Sequence, residues 1–358
     1  MHVVMAAGGT AGHIEPALNT ADTLCALDPS VRVTVLGSEH GLEEALVPAR
    51  GYELFTVPAV AMPRTLSVDS LRSITNIARS IPAARAFLKS SEADVVVGFG
   101  GFASAPAYLA ARSAGIPFIV HEANARPGWA NRLGARLTPF IAAVHPEHLS
   151  GARAMGMPLR PQIRSVDRAA NKAQALEYFG LESNEPVLFV FGGSQGARHL
   201  NEVVAAALPE LSRNGVQILH AVGGRNELPT ASPCYHPVSY VERMDLAYAA
   251  ADVVLCRAGA MTCAEVAAVG VPAIFVPLPV GNGEQALNAQ ALVDAGAAIM
   301  ISDSALTASM LVDEATALLG DPERLANMAR AAFLLGVRDA DEELAQWVLE
   351  VARVQGKA

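Results

Sequence analysis

The chain has 358 residues, enough for two domains, and 52% of them are hydrophobic, so it can bury two sizeable cores. With 26 Lys+Arg against 35 Asp+Glu the net charge is −9, which excludes the broad basic footprint of a nucleic-acid binder and leaves room only for a local basic patch. Cys25, Cys234, Cys256 and Cys263 form no CxxC and have no paired-histidine spacing, so they read as reduced core residues of a cytosolic chain rather than metal ligands.

The first element is a strand near 2–6, with no basic leader before it. It runs into "GGTAGH" and then an amphipathic helix. Further strands are expected near 31–36, 53–57, 94–98, 116–120 and 140–144, each separated from the next by helical sequence. The stretch 64–90 is basic and amphipathic, with Arg72, Arg79, Arg85 and Lys89 beside Leu71, Ile74, Ile77, Ile81, Phe87 and Leu88. Pro82 is expected to kink or divide that helix. A segment of this kind suits an anionic lipid surface, lying in the interface rather than spanning it; a helix packed on its own sheet is the alternative.

"GARAMGMPLRP", 151–161, clusters Gly and Pro and reads as a linker. Strands then recur near 187–191, 216–222, 237–241, 252–256, 272–276 and 298–301, and a last helix is expected over about 339–354. The long uncharged run Val266 to Gly283 contains Pro272, Pro277 and Pro279 and reads as buried strand plus loop, not as a membrane span. Short Val- and Ile-rich runs alternating with helices imply parallel sheets covered on both faces. The fold class is therefore α/β, with two doubly wound Rossmann-like domains. They are expected at 1–158 plus 337–358 and at 159–336, facing across a cleft at the carboxyl ends of their strands.

The two halves echo each other. "VVMAAGGTAGHIEPALNTADTL" matches "LFVFGGSQGARHLNEVVAAAL", and "ADVVVGFGGFASAPAYLAARSAGIPFIV" matches "ADVVLCRAGAMTCAEVAAVGVPAIFV". Three Gly-rich turns, 8–12, 98–104 and 192–196, open helices and offer backbone N–H groups to phosphate. Neither strict G-x-G-x-x-G nor a P-loop is present, because Ala7 and Phe191 replace the first glycine and no Lys-Ser/Thr follows. The second half carries Glu265 where the first has Ala107, and the first carries His13 where the second has Ala197. An acid on the first turns of a helix can accept from both ribose hydroxyls or simply satisfy the helix dipole. The asymmetry puts a nucleotide in the second half and titratable chemistry in the first. "VHEANARPG" adds His121, Glu122 and Asn124 after a strand, and "GNGEQALNA" adds Glu284, Gln285 and Asn288; each is a site residue or a loop or helix cap. With no metal-ligand spacing and no Asp-x-Asp, leaving-group charge falls to backbone N–H groups and to Arg160.

Seven segments in order, "GGTAGHIEPAL", "GFGGFASAPAYLAA", "HEANARPGWANR", "GMPLR", "FGGSQGARHLN", "RAGAMTCAE" and "GNGEQALNA", together resemble the MurG family of bacterial glycosyltransferases, nearly end to end. The resemblance implies a GT-B fold and an inverting transfer of GlcNAc from UDP-GlcNAc to the 4-hydroxyl of the muramoyl sugar of lipid I, giving lipid II for peptidoglycan. It also implies no cofactor, a peripheral place on the cytoplasmic face of the cell membrane, and acceptor and donor on the N- and C-terminal domains respectively. The C-terminal helix would return to the N-terminal domain. Carried over by position, the donor would meet Ser194, the Val241 backbone (uracil), Glu265 (ribose), Ala260, Met261, Thr262, Gln285 and Arg160. Thr10, Ala11, Gly12 and Asn124 would face the GlcNAc, and Gly100, Gly101 and Ser104 would seat the acceptor diphosphate. His13 is expected to be the general base, with Glu122 next in line. The chain departs from many members at Ala11, Ala123 and Glu284, which puts a diphosphate contact by Glu284 in doubt. Another GT-B enzyme, such as a natural-product glycosyltransferase or a UDP-GlcNAc epimerase, and a nucleotide-sugar sensor remain as rival readings.

Overall fold

The structure, a computed structural model, describes residues 1–58, 68–193, 196–279 and 283–355. The chain divides into two compact units, Met1–Leu159 with Asp339–Ala358, and Arg160–Arg338.

The first unit holds a parallel sheet of β1 (His2–Ala7), β2 (Arg32–Ser38), β3 (Glu53–Val57), β4 (Val95–Gly100), β5 (Phe118–Glu122), β6 (Ile141–Ala143) and β7 (Arg153–Ala154), in the order β3-β2-β1-β4-β5-β6-β7. Its helices are α1 (Ala11–Leu27), α2 (Glu43–Ala49), α3 (Val68–Ser90), α4 (Ser104–Ala114), α5 (Trp129–Gly134) and the C-terminal helix Ala340–Gln355. The second unit holds β8 (Val187–Phe191), β9 (Gln217–Ala221), β10 (Tyr235–Val238), β11 (Val253–Cys256), β12 (Ala273–Phe275) and β13 (Ala298–Met300), in the order β10-β9-β8-β11-β12-β13. Its helices are α6 (Pro161–Arg164), α7 (Arg168–Phe179), α8 (Arg198–Arg213), α9 (Met244–Ala250), α10 (Ala260–Val269), α11 (Glu284–Asp294), α12 (Ala308–Leu319) and α13 (Pro322–Leu335), so the C-terminal helix is α14.

Strand β1 shows why both faces are covered. Val3, Met5 and Ala7 join a core with Ile14 and Leu18 of α1 and Leu344 and Val348 of α14. Val4 and Ala6 point the other way, into a core with Tyr108, Val96 and Leu88. The two-residue period of the strand thus fills two layers at once. Helix α14 is tied to α1 by the Thr23 hydroxyl, which donates to Asp341 over 2.7 Å, and Trp347 packs on Phe140 with Arg153 over its ring. Asn19 of α1 donates to the Pro158 carbonyl at 3.0 Å and so holds the end of the linker.

Three local expectations change. Strand β10 lies at Tyr235–Val238 rather than near 237–241; it is an edge strand, where Pro237 is tolerated. Part of the linker forms β7 on the far edge of the first sheet. Helix α3 runs through Pro82 without dividing, and apolar residues of its C-terminal half pack on the first unit: Ala84 and Leu88 are buried in the core and Phe87 stacks on Phe55 at 4.2 Å. Arg79, Arg85 and Lys89 remain exposed. Among the described residues no helix is long and apolar enough to cross a membrane.

Candidate functional site

In the first unit two glycine turns meet at the ends of β1 and β4. Gly101 has φ +83°, and a side chain there would collide with the Gly8 carbonyl, so the turns pack backbone to backbone. Thr10 starts α1, and exposed Gly12 and half-buried Ala11 lie in its first turn, where N–H groups lack helical partners. Glu43 fixes this turn from below. Its carboxylate accepts from Ser38 N at 2.7 Å, Ser38 Oγ at 2.5 Å and Gly9 N at 3.2 Å. Sequence reasoning missed Glu43, since "GLEEAL" gives no sign of which acid is buried.

His13 is half-buried in the first turn of α1, with Nδ1 3.2 Å from Thr10 Oγ1. A methyl group on Gly100 would lie 3.2 Å from its Nε2 and 3.4 Å from Asn131 Nδ2, which brings the imidazole, the second glycine turn and Asn131 to one place. Burial lowers the His13 pKa below its usual 6.5, against the opposing pull of Glu122, a backbone hydrogen bond to Gly8, and Glu43. The ring is therefore a neutral imidazole near pH 7.

Two expected residues have different tasks. Glu122 lies within β5, as does His121, not in the loop after it. Its carboxylate accepts from Asn124 N at 2.9 Å, Asn124 Nδ2 at 3.3 Å, Gly128 N at 2.9 Å and Asn131 Nδ2 at 3.0 Å. Four donors on one carboxylate occupy its acceptor directions, so in this arrangement Glu122 holds the 123–131 loop. Asn131 in turn accepts from the buried Tyr108 hydroxyl at 2.7 Å. Ser104 Oγ is fully buried, accepting from Gly100 N at 3.0 Å and donating to Ala6 O or Gly100 O at 2.9 and 2.7 Å. Its hydroxyl knits the turn to β1, so any diphosphate on this turn meets backbone instead. His121 is also buried, its Nε2 3.0 Å from Gly156 O and its Nδ1 without a partner among the described residues, and burial pushes its pKa down to about 4.

In the second unit, β8 ends at the turn around Gly192, Gly193 and Gly196; Ser194 lies outside the described residues. Ala260, Met261 and Thr262 form the first turn of α10, whose first closed bond runs from Cys263 N to Gly259 O. Deeper in that helix Glu265 is buried, its Oε2 accepting from the Tyr248 hydroxyl at 2.9 Å and its Oε1 3.4 Å from Arg160 Nη2. The structure thus joins Arg160 and Glu265, and adds Tyr248, which "LAYAAA" presents only as core sequence. Val241 is buried. Gln285 Oε1 accepts from Leu278 N at 2.9 Å, which ties Leu278 to the first turn of α11. Asn288 is buried, with Nδ2 3.4 Å from Ala258 O. Among the described residues no group of three or more His, Cys, Asp or Glu is placed to hold a metal ion.

Comparison with known proteins identifies the family. Residues 3–142 match the Glycosyltransferase family 28 N-terminal domain and residues 187–344 its C-terminal domain. A protein of Saccharopolyspora erythraea, named UDP-N-acetylglucosamine--N-acetylmuramyl-(pentapeptide) pyrophosphoryl-undecaprenol N-acetylglucosamine transferase, is 54% identical over 98% of this chain and 94% of its own. The protein of the same name from Streptomyces avermitilis is 52% identical over 98% of each chain. The crystal structure of Acinetobacter baumannii MurG aligns with a TM-score of 0.78 at 29% identity, covering 98% of this chain and 99% of that one. Two family domains in order, and identity above one half along almost the whole length, make this chain a member of glycosyltransferase family 28, in its MurG branch.

Proposed function

We propose that this chain transfers GlcNAc from UDP-GlcNAc to the 4-hydroxyl of the muramoyl sugar of lipid I, with inversion at the anomeric carbon. The observation that carries this reading is the unbroken match, over 98% of the chain, to transferases that share that one name. The first unit takes the acceptor and the second the donor.

The residues suit these parts. A neutral His13 accepts the proton of the attacking hydroxyl as the bond to the anomeric carbon forms, while Thr10, Ala11 and Gly12 border the reacting sugar. The acceptor diphosphate sits on the backbone of the Gly100–Gly101 turn. In the second unit Glu265 receives the ribose hydroxyls, and the Val241 backbone reads the uracil. The N-terminus of α10, with Arg160, meets the charge that builds on departing UDP. Asn124 and Gln285 contact the GlcNAc and its phosphate, Ser194 the diphosphate. The protein binds the cytoplasmic face of the cell membrane peripherally, through the basic side of 64–90.

The test is to incubate the protein with labelled UDP-GlcNAc and a short-chain lipid I analogue. Labelled disaccharide, with UDP released only when the acceptor is present, is the expected result. UDP release without acceptor, or formation of an epimerised sugar nucleotide, overturns the assignment.

A further inference from the structure

The second unit contains a buried tyrosine whose hydroxyl bonds a buried carboxylate. Tyr248 is fully buried on α9, its ring edge-on to Phe189 and Phe191 at centroid distances of 6.1 and 6.0 Å. Those contacts fix the ring, and the hydroxyl reaches Glu265 Oε2 at 2.9 Å. Arg160 stands on the other carboxylate oxygen, 3.4 Å away. Packing of the aromatic ring needs no hydroxyl, and a buried hydroxyl left without a partner is costly. The polar tip of Tyr248 is therefore matched to Glu265.

We infer that Tyr248 is a positioning residue for the donor: it fixes the plane of the Glu265 carboxylate so that its oxygens face both ribose hydroxyls. The inference rests on the donor reading of Glu265 given above. A carboxylate at the base of a helix turn can rotate about its last bond, and two hydroxyls are recognised together only in one orientation. Tyr248 supplies the donor that selects it, as outer hydrogen bonds orient the ligands of a metal. Burial, reinforced by the Glu265 charge, raises the phenol pKa well above its usual value, so this donor persists at every working pH. The residue governs discrimination between ribo- and deoxyribonucleotides without touching either.

The experiment measures binding of UDP and of 2′-deoxy-UDP by calorimetry to wild type, Tyr248→Phe, Glu265→Gln and the double variant. Wild type is expected to favour UDP by about tenfold or more, the worth of a hydrogen bond to a charged group. Tyr248→Phe should narrow that preference by about three- to tenfold, raise the donor KM to match and leave kcat within about twofold. In the double variant the Tyr248 change should add nothing to the effect of Glu265→Gln. The preference is a ratio measured on folded protein, so it does not depend on how much of a variant folds. If Glu265→Gln narrows the preference and Tyr248→Phe does not, or weakens both nucleotides equally, the positioning role is overturned and the donor reading stands. If Glu265→Gln leaves the preference unchanged, the donor reading itself fails, and the role of Tyr248 with it.

Discussion

Thr10 Oγ1 and His13 Nδ1 lie 3.2 Å apart across the first turn of α1, so the residue that starts the helix also steadies one nitrogen of the imidazole. The other nitrogen, Nε2, faces the Gly100 turn. This arrangement suits a base held in one orientation. His13→Ala is expected to lower kcat by about 10²–10⁴-fold while donor KM moves only a few-fold. Because burial lowers the His13 pKa, the neutral base survives below pH 6.5, and the acid limb of the kcat profile should have its midpoint under that value. A kcat within about threefold of wild type, on a variant with an unchanged melting curve, removes His13 from the role.

Two glycines of the first unit with the same backbone conformation should not tolerate the same substitution equally. Gly51 and Gly101 both have positive φ, +82° and +83°. A methyl group on Gly51 meets nothing within 4 Å, whereas on Gly101 it collides with the Gly8 carbonyl. Gly51→Ala should cost about 1–2 kcal/mol from backbone conformation alone. Gly101→Ala should cost more and displace the 8–12 turn, with activity falling alongside the melting temperature. Equal melting temperatures for the two variants would contradict the close packing of these turns.

Glu265→Ala should weaken UDP-GlcNAc binding about ten- to hundred-fold, the loss of charge-assisted bonds to two hydroxyls. It should also lower the melting temperature, because Tyr248 and Arg160 each lose an acceptor. The donor KM separates the two effects. An unchanged KM with reduced stability would leave Glu265 as a purely structural acid.

Membrane association is expected to be electrostatic. Arg79, Arg85 and Lys89 are exposed on α3, each adding about 1 kcal/mol near an anionic surface. Flotation with vesicles containing anionic lipid should decline as salt rises, and decline again in Arg79→Glu/Arg85→Glu. Undiminished flotation of that double variant would point to a different surface.

Acid should begin to destabilise the fold through buried histidines as pH falls below about 6.5. His121 and His220 are buried, and burial brings each pKa down to about 4. Unfolded histidine binds a proton below about pH 6.5 and the folded form does not, so stability is whole above that pH and is lost as pH falls toward 4. Each group accounts for about 3 kcal/mol by the lower end of that window. His220→Gln can keep partners at Tyr235 and Asn201 without titrating, so its stability should depend less steeply on pH in urea unfolding between pH 4 and 7. A variant curve parallel to that of wild type would exclude His220 as a source.

The architecture was readable because parallel strands buried on both faces appear as unbroken apolar runs, as in Val3–Ala7, and their glycine turns recur at matching places. The edge strand β10 was displaced in the reading because half-buried strands carry weaker patterns and Pro237 obscures its course. Within the site, sequence identifies that an acid or hydroxyl stands near a turn but not where its oxygen atoms go. Glu122 reads as a candidate base, and its sequence gives no sign that Asn124, Gly128 and Asn131 surround its carboxylate. Ser104 reads as a ligand, and its sequence gives no sign that its hydroxyl bonds within the turn. Tyr248 and Glu265 lie on different helices, and no periodicity couples them.

Helix α14 gives the chain a particular order of assembly. The first unit begins at Met1 yet draws on Leu344 and Val348 to cover α1, while the second unit is contiguous from Arg160 to Arg338. During synthesis, residues 160–338 are all released before the helix that completes the first unit. The second unit therefore has its full set of strands and helices while the apolar face of α1 is still waiting for its cover, and through that interval the nascent chain carries exposed apolar surface open to aggregation.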